Sequence, residues 1–288
     1  KKRKINRKKF NTLELDRDVP LKGKLLIQMF EKSSLRTRLS FYLAIKQLGG
    51  SALTLRANEL HLSKGGESLS DTAKILSTYG DAFMLRTDSD KKLKEFAEHT
   101  KIPIINGLSP SSHPTQILSD VFTVQEIKKK PISKLIICWI GDASNNMINS
   151  LIEACVKFSI SLNIACPTYY QPNKALMSWI KRENGKIKIF NKKELAVKNS
   201  DVVITDKIIS MNDRVNKKKK LKSFKNFRVD MKTMNLAKKD AIFLHCLPRG
   251  SEVREEVFLG KQSKVWQQAL NRVYVQKSIL LYCFGKLR

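Results

Sequence analysis

Residues 24–50 read Lys24-Leu25-Leu26-Ile27-Gln28-Met29-Phe30-Glu31-Lys32-Ser33-Ser34-Leu35-Arg36-Thr37-Arg38-Leu39-Ser40-Phe41-Tyr42-Leu43-Ala44-Ile45-Lys46-Gln47-Leu48-Gly49-Gly50. The first seven residues are a short apolar run, which predicts a strand over Lys24–Phe30. Leu39, Leu43 and Leu48 then fall near one face of a helix over Arg36–Leu48, and Gly49-Gly50 stops it. Strand, polar turn, helix is the unit from which parallel sheets are built.

The unit recurs along the chain. Strands are predicted at Ser51–Leu55, Ala82–Arg86 and Ile102–Ile105, with helices at Ser70–Tyr79, Asp90–His99 and Pro114–Ile127. Pro131, after three lysines, breaks the pattern and marks a domain boundary. Beyond it, strands are predicted at Lys134–Ile140, Ser161–Ala165, Lys186–Phe190, Val202–Thr205 and Ala241–Leu244. Helices are predicted at Asn146–Phe158, Lys174–Arg182 and Lys193–Val197, with a last one from Lys264 to Cys283. The expected fold class is therefore α/β, with two doubly wound domains, each a parallel sheet flanked by helices.

Composition narrows the function classes. The chain has 288 residues, 42% of them hydrophobic, enough to bury a sizeable core. The longest apolar runs, Leu135–Ile140 and Ile279–Phe284, fall far short of a membrane span. No hydrophobic signal segment opens the sequence. Cys138, Cys155, Cys166, Cys246 and Cys283 are odd in number and form no C-x-x-C pair, which argues against a disulfide scaffold or a zinc ribbon. A reducing compartment, most simply the cytoplasm, is expected, and no metal-ligand spacing stands out among His61, His99, His113 and His245. The net charge of +29 is the abnormal number. The basic runs at Lys1–Lys9, Lys128–Lys130 and Lys217–Lys222 lack interleaved aromatics, so solvated faces are favoured over nucleic acid. A positive field also draws in small anions.

In doubly wound sheets, ligands bind beyond the carboxyl ends of the strands. After the first strand, Ser34, Arg36, Thr37 and Arg38 crowd the opening turn of a helix, where free N–H groups and the helix dipole favour an anion. The chemistry implied is phosphate binding; the plain alternative is a cap by Ser34 with surface arginines. Arg86 ends the third predicted strand as an anion ligand or an exposed arginine. His113-Pro114-Thr115-Gln116 opens the next helix, with proline at its first position. Gly141-Asp142-Ala143-Ser144-Asn145-Asn146 follows a strand but is no dinucleotide fingerprint; its asparagines hold a small polar ligand or cap a helix. Asp206 could hold an amino group. His245-Cys246-Leu247-Pro248 follows another strand, and activation of Cys246 by its neighbour is disfavoured because adjacent strand residues face opposite ways.

Taken in order, Phe30-Glu31-Lys32-x-Ser34-x-Arg36-Thr37-Arg38, His113-Pro114-Thr115-Gln116, Asp206-x-x-x-Ser210-Met211 and His245-Cys246-Leu247-Pro248 resemble the ornithine carbamoyltransferase family. The likeness runs from about Leu21 to the end of the sequence. Aspartate carbamoyltransferases share the first two motifs and are not expected to carry the last two. The resemblance implies transfer of a carbamoyl group from carbamoyl phosphate to the δ-amine of L-ornithine, without cofactor or metal, by a homotrimer with sites at subunit interfaces. It implies a carbamoyl phosphate-binding domain at 1–130, completed by a C-terminal helix at about 264–288 that packs back on it, and an ornithine-binding domain at 131–263. Ser34, Leu35, Arg36, Thr37, His61, Arg86, His113, Gln116, Cys246, Leu247 and Arg272 match the carbamoyl phosphate site. Asn146, Asp206, Ser210 and Met211 match the ornithine site, and Arg36, His113, Cys246 and Asp206 match the catalytic groups. Leu35 stands where ornithine enzymes usually have threonine, and resembles relatives that use acylated ornithine. Acetylornithine or putrescine carbamoylation, and a nucleic-acid-binding relative with a decayed site, are the alternatives.

Overall fold

The structure, a computed structural model, describes residues 1–5, 12–56, 66–209 and 216–287. His61, Ser210 and Met211 lie outside these residues. The chain divides into two compact units, residues 1–115 with 269–288 and residues 116–268.

In the first unit a short helix, α1 (Lys2–Ile5), precedes β1 (Leu25–Phe30), α2 (Leu35–Gln47), β2 (Ser51–Arg56), α3 (Leu69–Tyr79), β3 (Ala82–Arg86), α4 (Asp90–His99) and β4 (Ile104–Leu108). The strands form a parallel sheet in the order β2-β1-β3-β4. Side chains alternate between its faces. Leu26, Ala82, Met84 and Ile105 pack with Phe41, Ala44 and Ile45 of α2. Ile27, Met29, Phe83 and Leu85 pack with Ala73 and Leu76 of α3 and Phe96 of α4. The strand expected at Ile102–Ile105 is displaced. Pro103 has no N–H for the ladder, so its carbonyl only accepts from Phe83, and pairing continues through Asn106 and Gly107 to Leu108. A Cβ at Gly107 would meet the Met84 side chain, which would have to shift to admit a larger residue.

The second unit takes most of α5 (Pro114–Lys128), then β5 (Ile136–Ile140), α6 (Asn146–Lys157), β6 (Ser161–Ala165), α7 (Lys174–Arg182), β7 (Ile187–Phe190), α8 (Lys193–Val197), β8 (Val202–Thr205), α9 (Lys217–Ser223), α10 (Met231–Leu236), β9 (Ile242–His245) and α11 (Glu255–Phe258). Its parallel sheet has the order β7-β6-β5-β8-β9. One face, with Ile137, Trp139, Leu162 and Ile204, meets Ile148, Leu151 and Ile152 of α6. The other, with Cys138, Ile140 and Val203, meets α8, α10 and α11. The final helix, α12 (Val265–Cys283), counts with the first unit from Ala269 onward. Its Val273, Leu280 and Leu281 complete the core around Leu26 and Phe41, as the resemblance implied.

The lysine runs are not wholly solvated faces. Lys128 and Lys220 are 7% and 3% exposed, each ion-paired inside the second unit. Helices α9, α10 and α11 escape periodicity because they are short. The first has seven residues, five of them lysine, and buries only Lys220; Asn216 and Asp230 side chains cap α9 and α10.

Candidate active site

Each strand order reverses direction once, and the reversal fixes where a ligand can sit. In the first sheet β1 lies between β2 and β3, so the turns after β1 and β3 flank the switch point. They are joined by Glu31. Its carboxylate accepts from the Thr87 hydroxyl at 2.5 Å and the Asp88 N–H at 3.2 Å, and pairs with Lys92 at 2.7 Å. The Glu31 N–H donates to the Arg86 carbonyl at 2.9 Å. Burial pushes the Glu31 carboxyl up, but the bonds from Lys92, Thr87 and Asp88 outweigh it and hold the group below its ordinary range.

The helix mouth thus anchored is α2. Ser34 occupies the N-cap position, yet its side chain makes no capping hydrogen bond. Leu35 opens the helix with its side chain in solvent, 70% exposed. Thr37 is buried, and its hydroxyl accepts from Arg272 Nη2 at 2.7 Å, bringing the buried guanidinium of α12 to the same mouth. Arg86 is buried rather than an exposed arginine, and its Nε has no hydrogen-bond partner among the described residues. Burial, with the charge of Arg36 beside it, lowers its guanidinium to about 10. His113 is buried, with Thr115 Oγ1 at 3.4 Å from Nδ1. Burial, then the charges of Arg272, Arg86 and Arg36, hold it neutral well below 6.5. Arg36, Thr37, Arg86, His113 and Arg272 therefore form one cationic cluster. Burying cations is costly, and an oxyanion shared by several guanidiniums is the kind of group that offsets such a cost. An open cavity of about 630 Å³ adjoins the turn, lined among others by Phe30, Ser34, Leu35, Arg38, Thr54 and Arg56. It lies on the Leu35 side of the turn and is not lined by Arg86 or His113.

In the second sheet the switch point falls between β5 and β8. The turn after β5 starts at Gly141, whose φ of +147° favours glycine. Asn145 caps α6, accepting from the N–H groups of Met147 and Ile148 at 2.9 and 3.1 Å, and so places Asn146 in the first turn. After β8 comes Asp206. Its Oδ1 accepts from the Cys246 thiol at 2.7 Å and from the Lys207 N–H at 2.6 Å. Burial raises the Asp206 carboxyl above its ordinary range, against the opposing pull of His245 and the Cys246 thiol.

Cys246 is held by its neighbours. The Leu247 N–H donates to His245 Nδ1 at 2.8 Å, so the ring proton sits on Nε2 and is donated to Glu252 Oε1 at 2.9 Å. Glu252, raised by burial, is brought below its ordinary range by His245 and the Gly250 N–H. His245 thus faces Glu252 while Cys246 faces Asp206, the opposite-face arrangement expected of adjacent residues. Leu247 takes a φ of +60°, a costly conformation for leucine that the His245 bond holds in place. Gln116 counts with the second unit: its Nε2 donates to Asp120 at 2.8 Å, and Asp120 accepts from Gln268, whose Oε1 accepts from the His245 N–H. Sequence reasoning missed Glu31, Asp142 and Glu252 as organisers. Glu31 stood inside a quoted motif, whereas nothing local marks Glu252. Among the described residues no group of three or more His, Cys, Asp or Glu is placed to hold a metal ion.

A two-unit α/β protein, with an oxyanion-gripping helix mouth on one sheet and a thiol–carboxylate pair on the other, is the class that fold and site define. Residues 2–126 match the carbamoyl-P binding domain of aspartate/ornithine carbamoyltransferase, and residues 133–283 its Asp/Orn binding domain. The ornithine carbamoyltransferases of Nitrobacter winogradskyi and Rhodopseudomonas palustris are 42% and 43% identical to the chain, over 93% and 94% of its length and 86% of theirs. The solved ornithine carbamoyltransferase of Pyrococcus furiosus superposes with a TM-score of 0.87 at 38% identity, covering 94% of this chain and 87% of that one. The anabolic enzyme of Campylobacter jejuni gives 0.85 at 40% identity, covering 93% and 89%. The chain belongs to the aspartate/ornithine carbamoyltransferase family.

Proposed function

We propose that the protein transfers the carbamoyl group of carbamoyl phosphate to the δ-amine of L-ornithine, giving L-citrulline and phosphate, as a step of arginine metabolism. The observation that carries this reading is the buried Arg86 beside Arg36, with neutral His113 and Arg272 in the same cluster. In the reaction the neutral amine attacks the carbonyl carbon, the C–N bond forms, and the C–O bond to phosphorus breaks. Ser34, the Leu35 N–H, Arg36, Thr37 and Arg86 hold the phosphate, which leaves with its charge already met. A neutral His113 donates to the carbonyl oxygen as negative charge develops there, with Arg36 and Thr37. His61, Gln116, Cys246, Leu247 and Arg272 are assigned to the same donor. Asn146, Asp206, Ser210 and Met211 are assigned to ornithine, and a raised Asp206 carboxyl is the better acceptor for the proton the amine gives up.

Residues 1–130 with 264–288 serve carbamoyl phosphate and residues 131–263 ornithine. The working form is a cytoplasmic homotrimer with sites at subunit interfaces. Among the described residues no helix is long and apolar enough to cross a membrane. The test is a side-by-side carbamoylation assay with ornithine, acetylornithine, putrescine and aspartate. Citrulline formation from ornithine is expected, with Arg36→Ala lowering kcat by about a hundredfold to a thousandfold. Preference for another amine, or an unaffected Arg36→Ala, overturns the assignment.

A further inference from the structure

One buried cation in the second unit has no part in the reaction just described. Lys220 is one of five lysines in the seven-residue helix Lys217–Ser223, yet its Nζ is 2.6 Å from Asp142 Oδ2, with both side chains 4% exposed. The ammonium also lies 5.4 Å from the centroid of the Tyr170 ring. The other oxygen of Asp142 accepts from the Ser144 N–H at 2.8 Å and the Ser144 hydroxyl at 2.6 Å. Its backbone carbonyl accepts from Trp139 Nε1 at 3.2 Å, and the next residue, Ala143, donates its N–H to the Tyr170 carbonyl at 2.9 Å. The turn that leads into Asn145 and Asn146 is therefore held from three sides, and Lys220 is the anchor that comes from farthest along the chain.

Stability alone does not explain this choice. A buried ion pair rarely outdoes apolar residues of the same volume, because both charges must be stripped of water. What such a pair supplies is a fixed geometry, and the geometry fixed here is that of the residues opening α6. We infer that Lys220 is a positioning residue for ornithine, acting through Asp142 to set the turn from which Asn146 reaches that substrate. The inference rests on the ornithine reading proposed above.

The test uses the full chain and steady-state citrulline formation, with each substrate varied at saturating levels of the other. Lys220→Met is expected to raise KM for ornithine about tenfold while KM for carbamoyl phosphate stays within about twofold. Lys220→Arg, which keeps the charge and the reach, is expected to restore most of the loss. If Lys220→Met does not fold, Asp142→Asn reports the same split, because it weakens the pair from the other side. An unchanged KM for ornithine in folded variants overturns the inference. So does an equal rise in both KM values, which marks a general loss of structure. Wild-type chain that forms no citrulline overturns the ornithine reading itself, and that control separates the two failures.

Discussion

Arg86 and His113 are a cation and a neutral base in the same buried cluster, and the charge of Arg86 helps to keep His113 neutral. His113 gives a measurable consequence. Its native pKa is depressed by burial and by three arginines, so below about pH 6.5 the unfolded chain binds a proton that the native one refuses. Stability is then expected to fall as pH is lowered from about 6.5 towards the depressed native value. His113→Asn removes that part of the slope, and denaturant titrations of both proteins between pH 5 and 7.5 (a range of about one pKa unit either side of the free imidazole) check it. An identical slope in the variant contradicts the assignment. At this scale the sequence was partly legible. Arg86 ends β3, and Arg36 and Thr37 open the helix that follows β1, where chain order announces them. That the Ser34 side chain leaves its cap unmade, and that Arg86 is buried, are features of the folded chain which no local pattern reports.

Among elements, the strands and long helices were legible because each carries its own period. Ala82–Arg86, Ser161–Ala165, Val202–Thr205, Asp90–His99 and Lys174–Arg182 stand where the pattern placed them. Failures came where a single residue overrode the pattern, as at Pro103, or where a helix was too short to show one. The turn after β9 is an element-scale device: His245 bonds Leu247 with one nitrogen and Glu252 with the other, and so holds the bend that presents Cys246. Glu252→Gln replaces a charge-assisted partner inside the unit by a neutral amide. It is expected to cost about 1–3 kcal/mol of stability. A lowered denaturation midpoint at unchanged m is the sign to look for, and an unshifted midpoint counts against the role given to Glu252.

For the whole molecule, the charge of +29 is the property that sequence alone could count but not place. Part of it is spent inside: Lys128 bridges Asp240 and Asp201, Lys220 meets Asp142, and Lys277 meets Asp16. The remainder gives a positive field that favours approach of a small dianion. kcat/KM for carbamoyl phosphate is expected to fall as salt is raised from about 0.01 to 0.15 M, as the screening length shrinks from about 30 to 8 Å. The dependence on neutral ornithine analogues is expected to be flat. Equal salt dependence for both overturns the steering role.

The return of α12 to the first unit has a consequence for how the polypeptide is made. Leu26 and Phe41 share their interior with Leu280 and Leu281, Asp16 finds Lys277, and Thr37 finds Arg272. On the ribosome the earliest portion therefore emerges without its closing piece, and its hydrophobic seam stays open until the stretch from Ala269 onward has been translated. The Arg272–Thr37 bond at the mouth of α2 comes into being only then, so a polypeptide cut short before Arg272 is born without it.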